Sequence, residues 1–338
     1  MTEDRVSSST VDSGLGSVTV VTVTYGDRWD LVSQVLRHAV AAPEVGRIVL
    51  VDNASVYDIE ARLAENFSTD KICLRKNADN LGSAVGFNQG IAEAIAGSGR
   101  FLLLLDDDNV PEEGCEGRFI AAYRNHDQSV ALAAYRPSIR RQALVLQGLE
   151  NIDILPNSFA GFDVSEFLPR LIRKLKERSS GGRALAVERP ISIAPYGGFF
   201  ANFDLIRKIG LPKMDYVLYG DDHEFTYRVK KAGGQIFLRS DCVVVDVDQS
   251  WGTQDNVHHY FIEDAPLRKL RLTVKNVARF EAEQGFGGWR YGLNCFVFLG
   301  LHMLKAAVFY RNFAFALGRR RELLEFVRQG RDEARGAE

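Results

Sequence analysis

The chain contains, at residues 101–109, the sequence Phe101-Leu102-Leu103-Leu104-Leu105-Asp106-Asp107-Asp108-Asn109, an apolar run that ends in three carboxylates. A short apolar run after the turn residues Gly97-Ser98-Gly99 predicts a strand buried on both faces of a parallel sheet. The carboxylates repel one another, so a cation is expected beside them. Two carboxylates of an Asp-x-Asp pair lie on one side of an extended chain, where Mg²⁺ or Mn²⁺ binds them together with substrate phosphate oxygens. We therefore predict a divalent metal at Asp106 and Asp108; a solvated acidic turn or a helix N-cap is the alternative.

Strand and helix patterns alternate on the N-terminal side of this run. Residues 17–25 are rich in β-branched side chains, and apolar residues from Trp29 to Ala39 follow at helical spacing. Two further strands are predicted at 47–51 and 72–75. This alternation over the first 110 residues predicts a doubly wound α/β sheet, which binds ligands outside the carboxyl ends of its strands.

The alternation weakens beyond Ala121. Residues 137–190 are predicted to form an insertion that contains a basic amphipathic helix around 167–178. Order returns with predicted helices at 204–209 and from about Asp221, and with two strands at 235–239 and 242–247. Residues 285–338 are predicted to be helical, and the polar, Ser-rich residues 1–16 read as a disordered leader.

Composition limits the classes of function. The chain has 338 residues and a formal net charge of −2, which argues against a nucleic-acid partner. Its four cysteines lie far apart without Cys-x-x-Cys spacing, which is typical of a reducing compartment. The leader lacks the apolar segment of a secretion signal, so a cytoplasmic location is expected.

Two more polar motifs follow predicted strands. The first is Val51-Asp52-Asn53-Ala54-Ser55, in which Asp52 and Asn53 could bind a nucleobase, or could form a turn into the next helix. The second, residues 80–90, carries three glycines and two asparagines at a helix start, where phosphate binds well. It has neither Walker A nor dinucleotide-binding spacing.

These motifs, in this order and at this spacing, resemble glycosyltransferase family 2, with the glycine-asparagine segment most similar to the rhamnosyltransferase and galactofuranosyltransferase branches. The resemblance implies a GT-A fold with a Rossmann-like, mostly parallel sheet over 17–284, divided into a nucleotide-binding half (17–110) and an acceptor half (111–284). It also implies inversion at the anomeric carbon and a UDP- or dTDP-sugar donor. The implied donor-binding residues are Thr24, Tyr25, Asp52, Asn53, Asn80, Gly82, Gly86, Asn88, Asp106 and Asp107.

The second half of the chain contains a carboxylate pair that resembles the catalytic motif of the same family. By that resemblance Asp222 is the general base, since direct displacement requires the acceptor hydroxyl to lose its proton, and Asp221 orients the acceptor. Both could instead simply cap a helix. Gly197 and Gly198 resemble the family's acceptor loop, although a tight turn fits equally. Many relatives complete the metal shell with a His, where this chain offers Asp246 or Asp248; His258, His259 or water are the alternatives.

The sequence as a whole predicts a transferase that moves rhamnose or galactofuranose onto a hydroxyl of a cell-surface glycan or a lipid-linked precursor. The alternatives are a nucleotidyltransferase of similar fold and a non-catalytic membrane-associated scaffold. The apolar residues 291–310, followed by Arg311 and Arg319 to Arg321, predict either a helix on the inner face of a membrane or a homodimer contact.

Overall fold

The fold is given by a computed structural model that describes residues 17–166, 169, 183–248 and 258–336. The predicted leader, residues 1–16, and most of the predicted helix around 167–178 lie outside the described residues. The sheet and its flanking helices confirm the predicted α/β class with a helical C-terminal region.

The N-terminal half alternates strands and helices as the sequence pattern predicts. Its elements are β1 (Val18–Gly26), α1 (Trp29–Ala41), β2 (Val45–Ser55), α2 (Ile59–Asn66), β3 (Ile72–Asn77), α3 (Ser83–Ile95) and β4 (Phe101–Asp106). Strands β3, β2, β1 and β4 pair in that order and are all parallel. Their carboxyl ends therefore lie along one edge of the sheet.

The second half completes the sheet in a less regular order. Its elements are β5 (Asn109–Pro111), α4 (Cys115–Tyr123), β6 (Val130–Tyr135), α5 (Arg140–Leu146), β7 (Glu188–Ile191), β8 (Phe199–Asn202), α6 (Phe203–Ile209), α7 (Asp221–Lys231) and β9 (Gln235–Asp246). Strand β8 runs antiparallel between β4 and β6, and β9 pairs in parallel with β6. The predicted central sheet is confirmed, with antiparallel strands added in the second half of the chain.

Strand β9 corrects one prediction. The sequence pattern predicted two strands, 235–239 and 242–247, with Ser240 and Asp241 in neither. The structure has one strand across both, because the Ser240 amide donates to the Val187 carbonyl at 2.9 Å and the Arg239 side chain bonds Asp241. The polar pair occupies a register shift against β6.

Two apolar layers cover the sheet. Leu103 and Leu105 of β4 face the layer that contains α1, while Leu102 and Leu104 face the layer that contains α3. All four side chains are fully buried. The leucine run is therefore continuous because both of its faces are covered, as expected for an inner parallel strand.

Three long helices, α8 (Leu267–Glu283), α9 (Gly288–Tyr310) and α10 (Phe313–Gly336), form the C-terminal region with their own apolar core. Helix α10 packs closely along α8 at Gly330, where an added Cβ would lie 2.0 Å from the Lys275 carbonyl oxygen. Only glycine allows the two backbones this approach.

We expect Gly330→Ala to lower the free energy of unfolding by about 1–3 kcal/mol, because the helices must separate to admit the methyl group. Gly318 is the matched control: it is an exposed glycine of the same helix, and its added Cβ meets open space. Gly318→Ala should be neutral or should stabilise by up to about 1 kcal/mol through helix propensity. Urea unfolding measures both; equal stability of the two variants would contradict the close packing.

Candidate functional site

A cavity of about 970 Å³ opens at the carboxyl ends of the parallel strands and reaches α8. Its walls bring together several residues that the sequence predicts for one site: Tyr25, Asn53, Asn80, Gly82, Asp106, Asp107, Asp108, Asp221 and Asp222. The acidic triplet and the carboxylate pair are more than a hundred residues apart in the chain, yet they line the same space.

Arg28, at the start of α1, holds the acidic triplet in place. Its guanidinium donates to Asp107 at 2.8 Å, to Asp108 at 3.0 Å and to Asp248 at 3.2 Å. Burial alone would lower the pKa of Arg28, but the hydrogen bond and the charge of Asp107 raise it above its usual range. Asp107 also accepts from the buried Thr24 hydroxyl at 2.9 Å. The Asp107 carboxylate is therefore held by hydrogen bonds from Arg28 and Thr24.

Arg136 provides a second cation on the opposite side of the triplet. It bonds Asp246 and lies 3.8 Å from Asp106. Asn109 joins the two strand ends, since its amide nitrogen donates to Asp108 at 3.0 Å and to Asp246 at 2.7 Å. Five aspartates thus share two guanidinium groups among the contacts that the structure describes, which leaves an excess of negative charge.

Asp106 carries most of this excess toward the cavity. Its side chain keeps 40% of its surface accessible from the cavity. The surrounding protein nevertheless limits its hydration, and this desolvation raises the pKa of Asp106 to about 7; Arg136 opposes the shift, and Asp108, Asp107 and Asp222 reinforce it. Desolvation and the charge of Asp107 likewise raise the pKa of Asp108.

The carboxylate oxygens of the acidic triplet suit a hard divalent cation. Carboxylate oxygens are the ligands that Mg²⁺ and Mn²⁺ prefer, and Asp106 lies on the cavity wall among more carboxylates than the two guanidinium groups can neutralise. Within the described ranges, no three or more His, Cys, Asp or Glu side chains converge as a complete ligand set. The residues therefore fit an ion that takes part of its shell from a bound phosphate, with Asp106 and Asp108 as the protein ligands.

The carboxylate pair stands at the N-terminus of α7. Asp221 is buried and accepts from the Ser83 hydroxyl at 3.1 Å. Burial raises the pKa of Asp221 to about 7, the charge of Asp222 adds to the shift, and the hydrogen bond from Ser83 opposes it. One Asp222 oxygen accepts from the His223 amide at 2.8 Å, and the side chain borders the cavity.

The turn before this pair is strained. Val217 has φ 63° and ψ −61°, and the Leu218 amide donates to the Tyr216 carbonyl at 2.7 Å, which is a γ-turn of the rare, strained kind. The buried Asn276 of α8 holds this turn, because its amide nitrogen lies 2.8 Å from the carbonyl oxygens of Tyr216, Leu218 and Tyr219. Helix α8 therefore fixes the position of the turn that leads into Asp221 and Asp222.

The predicted donor-side residues divide into two groups. Asn80 and Gly82 line the cavity, and Gly82 has φ +88° in close contact with the Val217 carbonyl. Asn53 also borders the cavity, but its amide nitrogen bonds Asn80 and Gly82 and its oxygen accepts from Asn77 and the Leu81 amide. Asn53 thus ties β2 to the glycine-rich turn.

The remaining predicted residues lie outside the cavity lining. Asp52 accepts from the Ser55 amide at 2.8 Å, which is the turn contact that the sequence left as the alternative. Gly86 admits the side chain of Val23 beneath α3, and Asn88 donates to the Pro212 carbonyl at 2.7 Å.

The acceptor-loop glycines are also set back from the cavity. Gly198 has φ +92° and packs on Ala134, and its amide donates to the Leu104 carbonyl at 2.8 Å. Gly197 packs against the Asn109 side chain. Both positions lead into β8, and neither belongs to the residues that line the cavity.

Four site residues escaped the sequence reasoning: Arg28, Ser83, Arg136 and Asn276. Arg28 had a usable signal, since it follows β1 at the sheet edge where ligand-binding residues gather. The other three contact the carboxylates or their turn across 57 to 138 residues of chain, and no local pattern marks them.

The N-terminal part of the chain matches a known protein family. Residues 19–159 match the family model described as Glycosyl transferase family 2, a segment that includes the acidic triplet and ends before Asp221. A comparison with curated protein sequences gives no match.

Two solved structures share the fold at low sequence identity. The mannosyltransferase PcManGT from Pyrobaculum calidifontis, solved with GDP-Man and Mn²⁺, is 13% identical with a TM-score of 0.53, over 94% of this chain and 86% of that one. GalNAc-T7, solved with UDP, GalNAc and Mn²⁺, is 15% identical with a TM-score of 0.52, over 80% of this chain. The match spans 48% of the GalNAc-T7 chain, about half its length.

The chain shares the GT-A fold of these two glycosyltransferases, and part of its sequence resembles the same class of protein. The segment that matches the Glycosyl transferase family 2 model begins within β1 and includes β4 with its acidic triplet.

The raised pKa of Asp221 predicts a pH-dependent stability difference. The folded protein binds this proton more tightly than the unfolded chain, so wild type loses stability as pH rises from 3.8 through about 7. Asp221→Asn removes the buried charge and should be more stable than wild type above pH 7, on the order of 1–4 kcal/mol, since each pKa unit is about 1.4 kcal/mol. The gain should vanish below pH 3.8.

Urea unfolding across this pH range measures the effect. Asp204→Asn, which alters an exposed carboxylate in the first turn of α6, is the matched control and should change stability little. A stability difference between Asp221→Asn and wild type that did not change with pH would contradict a protonated Asp221.

Proposed function

We propose that this protein is an inverting glycosyltransferase that moves a sugar from a nucleoside-diphosphate donor to an acceptor hydroxyl. The observation that carries the proposal is that Asp106 and Asp108 line the same cavity as Asp221 and Asp222. One pair provides hard oxygen ligands at the phosphate-binding edge of the sheet, and the other provides a base facing the same space.

The chemistry follows from the environment of each carboxylate. A bound Mg²⁺ or Mn²⁺ would stabilise the negative charge of the departing nucleoside diphosphate. Arg28 and Asn109 keep Asp108 oriented, and Asp106 faces the cavity. Asp222 accepts the proton of the attacking hydroxyl.

Asp221 has a different role in this mechanism. It is buried beside Ser83, where burial and the charge of Asp222 raise its pKa, and it orients the acceptor. Because one carboxylate serves as base and no covalent sugar intermediate forms, the displacement inverts the anomeric carbon.

The donor, acceptor and location are proposed on narrower grounds. The structural neighbours were solved with UDP and with GDP-Man. The glycine-asparagine motif favours a UDP- or dTDP-linked rhamnose or galactofuranose for this chain. We propose as acceptor a hydroxyl of a cell-surface glycan or a lipid-linked precursor, and as location the cytoplasmic face of a membrane.

The other two functions weighed on the sequence are less well supported. A nucleotidyltransferase would need a phosphate-binding loop after β1, and Gly26-Asp27-Arg28 there leads instead to an arginine bonded to aspartates. A scaffold would have no use for a carboxylate pair, one member of it buried, beside an acidic triplet, since both groupings cost stability.

Replacement of a metal ligand tests the donor side. We expect Asp108→Ala to abolish turnover and to remove the Mn²⁺-dependent part of thermal stabilisation by nucleotide sugars, because the diphosphate loses its neutralising cation. A panel of UDP-, dTDP- and GDP-sugars, with and without Mn²⁺, identifies the donor in the same experiment. Asp70→Ala, at an exposed carboxylate before β3, is the control. Full activity of the wild type in EDTA would rule out the metal.

The base is tested by separating binding from chemistry. Asp222→Asn keeps the shape of the side chain but cannot accept a proton, so donor affinity should persist while kcat falls roughly 10²- to 10⁴-fold. Ser83→Ala, which removes only the hydrogen bond to Asp221, should cost much less. Turnover of Asp222→Asn close to wild type would place the base elsewhere.

A further inference from the structure

Helix α9 presents an apolar stripe to solvent. The stripe consists of Trp289, Leu293, Phe296, Leu304 and Val308, which are 77%, 42%, 62%, 54% and 79% exposed. Spacings of three, four and eight residues place them on one side of the helix. The opposite side packs into the C-terminal core through buried side chains such as Phe298 and Leu299. The stripe therefore faces outward because the helix is already anchored on its other side.

The charges around the stripe are mainly positive. Helix α9 contains Arg290 and Lys305 but no Asp or Glu, and Arg311 follows its last residue. From α10, the Arg320 guanidinium lies 4.8 Å over the exposed ring of Phe296. Among the ion pairs described for α9, Asp163 faces Arg290 at 3.6 Å. An apolar face bordered by cations is the pattern of a helix that lies on anionic lipid.

We propose that the stripe of α9 docks the protein on an anionic membrane surface, with the helix lying in the plane of the headgroups. The helix is long and apolar enough to cross a bilayer by length and composition alone. Insertion across the bilayer would, however, remove its polar anchors. Asn294 donates to the Asn157 carbonyl at 2.8 Å and to Asp163 at 3.0 Å, and Tyr291 donates to the buried Glu281 at 3.0 Å. These bonds hold the inner face of α9 on the protein.

A second copy of the chain fits the stripe less well. In a twofold contact the same patch meets itself, so the cations around one stripe would approach those around the other. Stable interfaces also use about 20–30 residues on each side, whereas this stripe has five exposed apolar side chains. Neither argument applies to anionic lipid, because it complements the positive charge and needs no surface of matching shape.

The proposal of a membrane partner rests on the proposed function, because a transferase held at a membrane would meet a lipid-linked acceptor there. The cavity also reaches this side of the molecule. Arg268 and Lys269 line it at the start of α8, and the Glu263 amide of the preceding segment donates to the Tyr310 hydroxyl at the end of α9, at 3.4 Å. The cavity wall and the end of the stripe are therefore neighbours.

Vesicle binding by the full-length protein tests the proposal. It should co-sediment with vesicles of phosphatidylcholine and phosphatidylglycerol, bind pure phosphatidylcholine weakly, and be released by high salt. The double variant Leu304→Ser and Val308→Ser should lower the bound fraction about tenfold, because two apolar side chains leave the interface. The matched control, Val56→Ser with Val187→Ser, changes two exposed valines elsewhere and should bind like wild type. Lys305→Gln should weaken binding only to the anionic vesicles.

Three results would contradict membrane docking by the stripe. The full-length protein would fail to bind anionic vesicles, the Leu304→Ser and Val308→Ser double variant would bind them like wild type, or that double variant would be a monomer where the wild type is a dimer. The last result would assign the stripe to a second copy. Thermal stabilisation by nucleotide sugars keeps the two proposals separate. The stripe variants should retain it if folded, whereas a wild type that binds vesicles but no nucleotide sugar would contradict the proposed function alone.

Discussion

The guanidinium of Arg28 joins parts of the chain that would otherwise repel one another. Asp107 and Asp108 follow β4, and Asp248 follows β9, so their carboxylates meet at one edge of the sheet. Without a cation, repulsion among these carboxylates would make the approach of the strand ends unfavourable. Arg28 removes part of the repulsion and leaves Asp106 facing the cavity with a raised pKa. The geometry of the site thus follows from an incomplete neutralisation that a bound cation can finish.

A second constraint acts at the turn before Asp221. The γ-turn at Val217 is unfavourable by itself, and a β-branched residue with positive φ persists only where its surroundings enforce it. Asn276 enforces it by binding three carbonyl groups, and the close approach of Gly82 to the Val217 carbonyl fixes the turn from the side of the glycine-rich segment. The glycine-rich segment and α8 therefore meet at this turn, which Tyr219 and Gly220 separate from the carboxylate pair.

The sequence predicted what local pattern controls. The leucine run, the alternation before it and the acidic triplet at the sheet edge are all readable, because burial on two faces and charge at a strand end are properties of neighbouring residues. Asn53 and Asn88 were harder: an amide can bind a ligand or a backbone carbonyl, and only the folded chain shows that the Asn88 amide bonds Pro212. Arg136 and Asn276 were missed because their partners are distant in sequence. Strand β9 was divided wrongly because Ser240-Asp241 has turn composition, whereas in the fold the Ser240 amide bonds the Val187 carbonyl and the chain continues as one strand.

Helix α8 connects the site to the C-terminal region. One of its faces presents Asn276 to the turn before Asp221, while the carbonyl of Lys275, the preceding residue, receives Gly330 of α10. Displacement of α10 would therefore act on the segment of α8 that holds the turn before Asp221. In the same way Glu281 of α8 accepts from Tyr291 of α9 and from the Ala160 amide at the cavity wall. The C-terminal helices are consequently a structural part of the site. A contact on the outer face of α9 acts on a helix whose Tyr291 is hydrogen-bonded to Glu281 in the cavity wall.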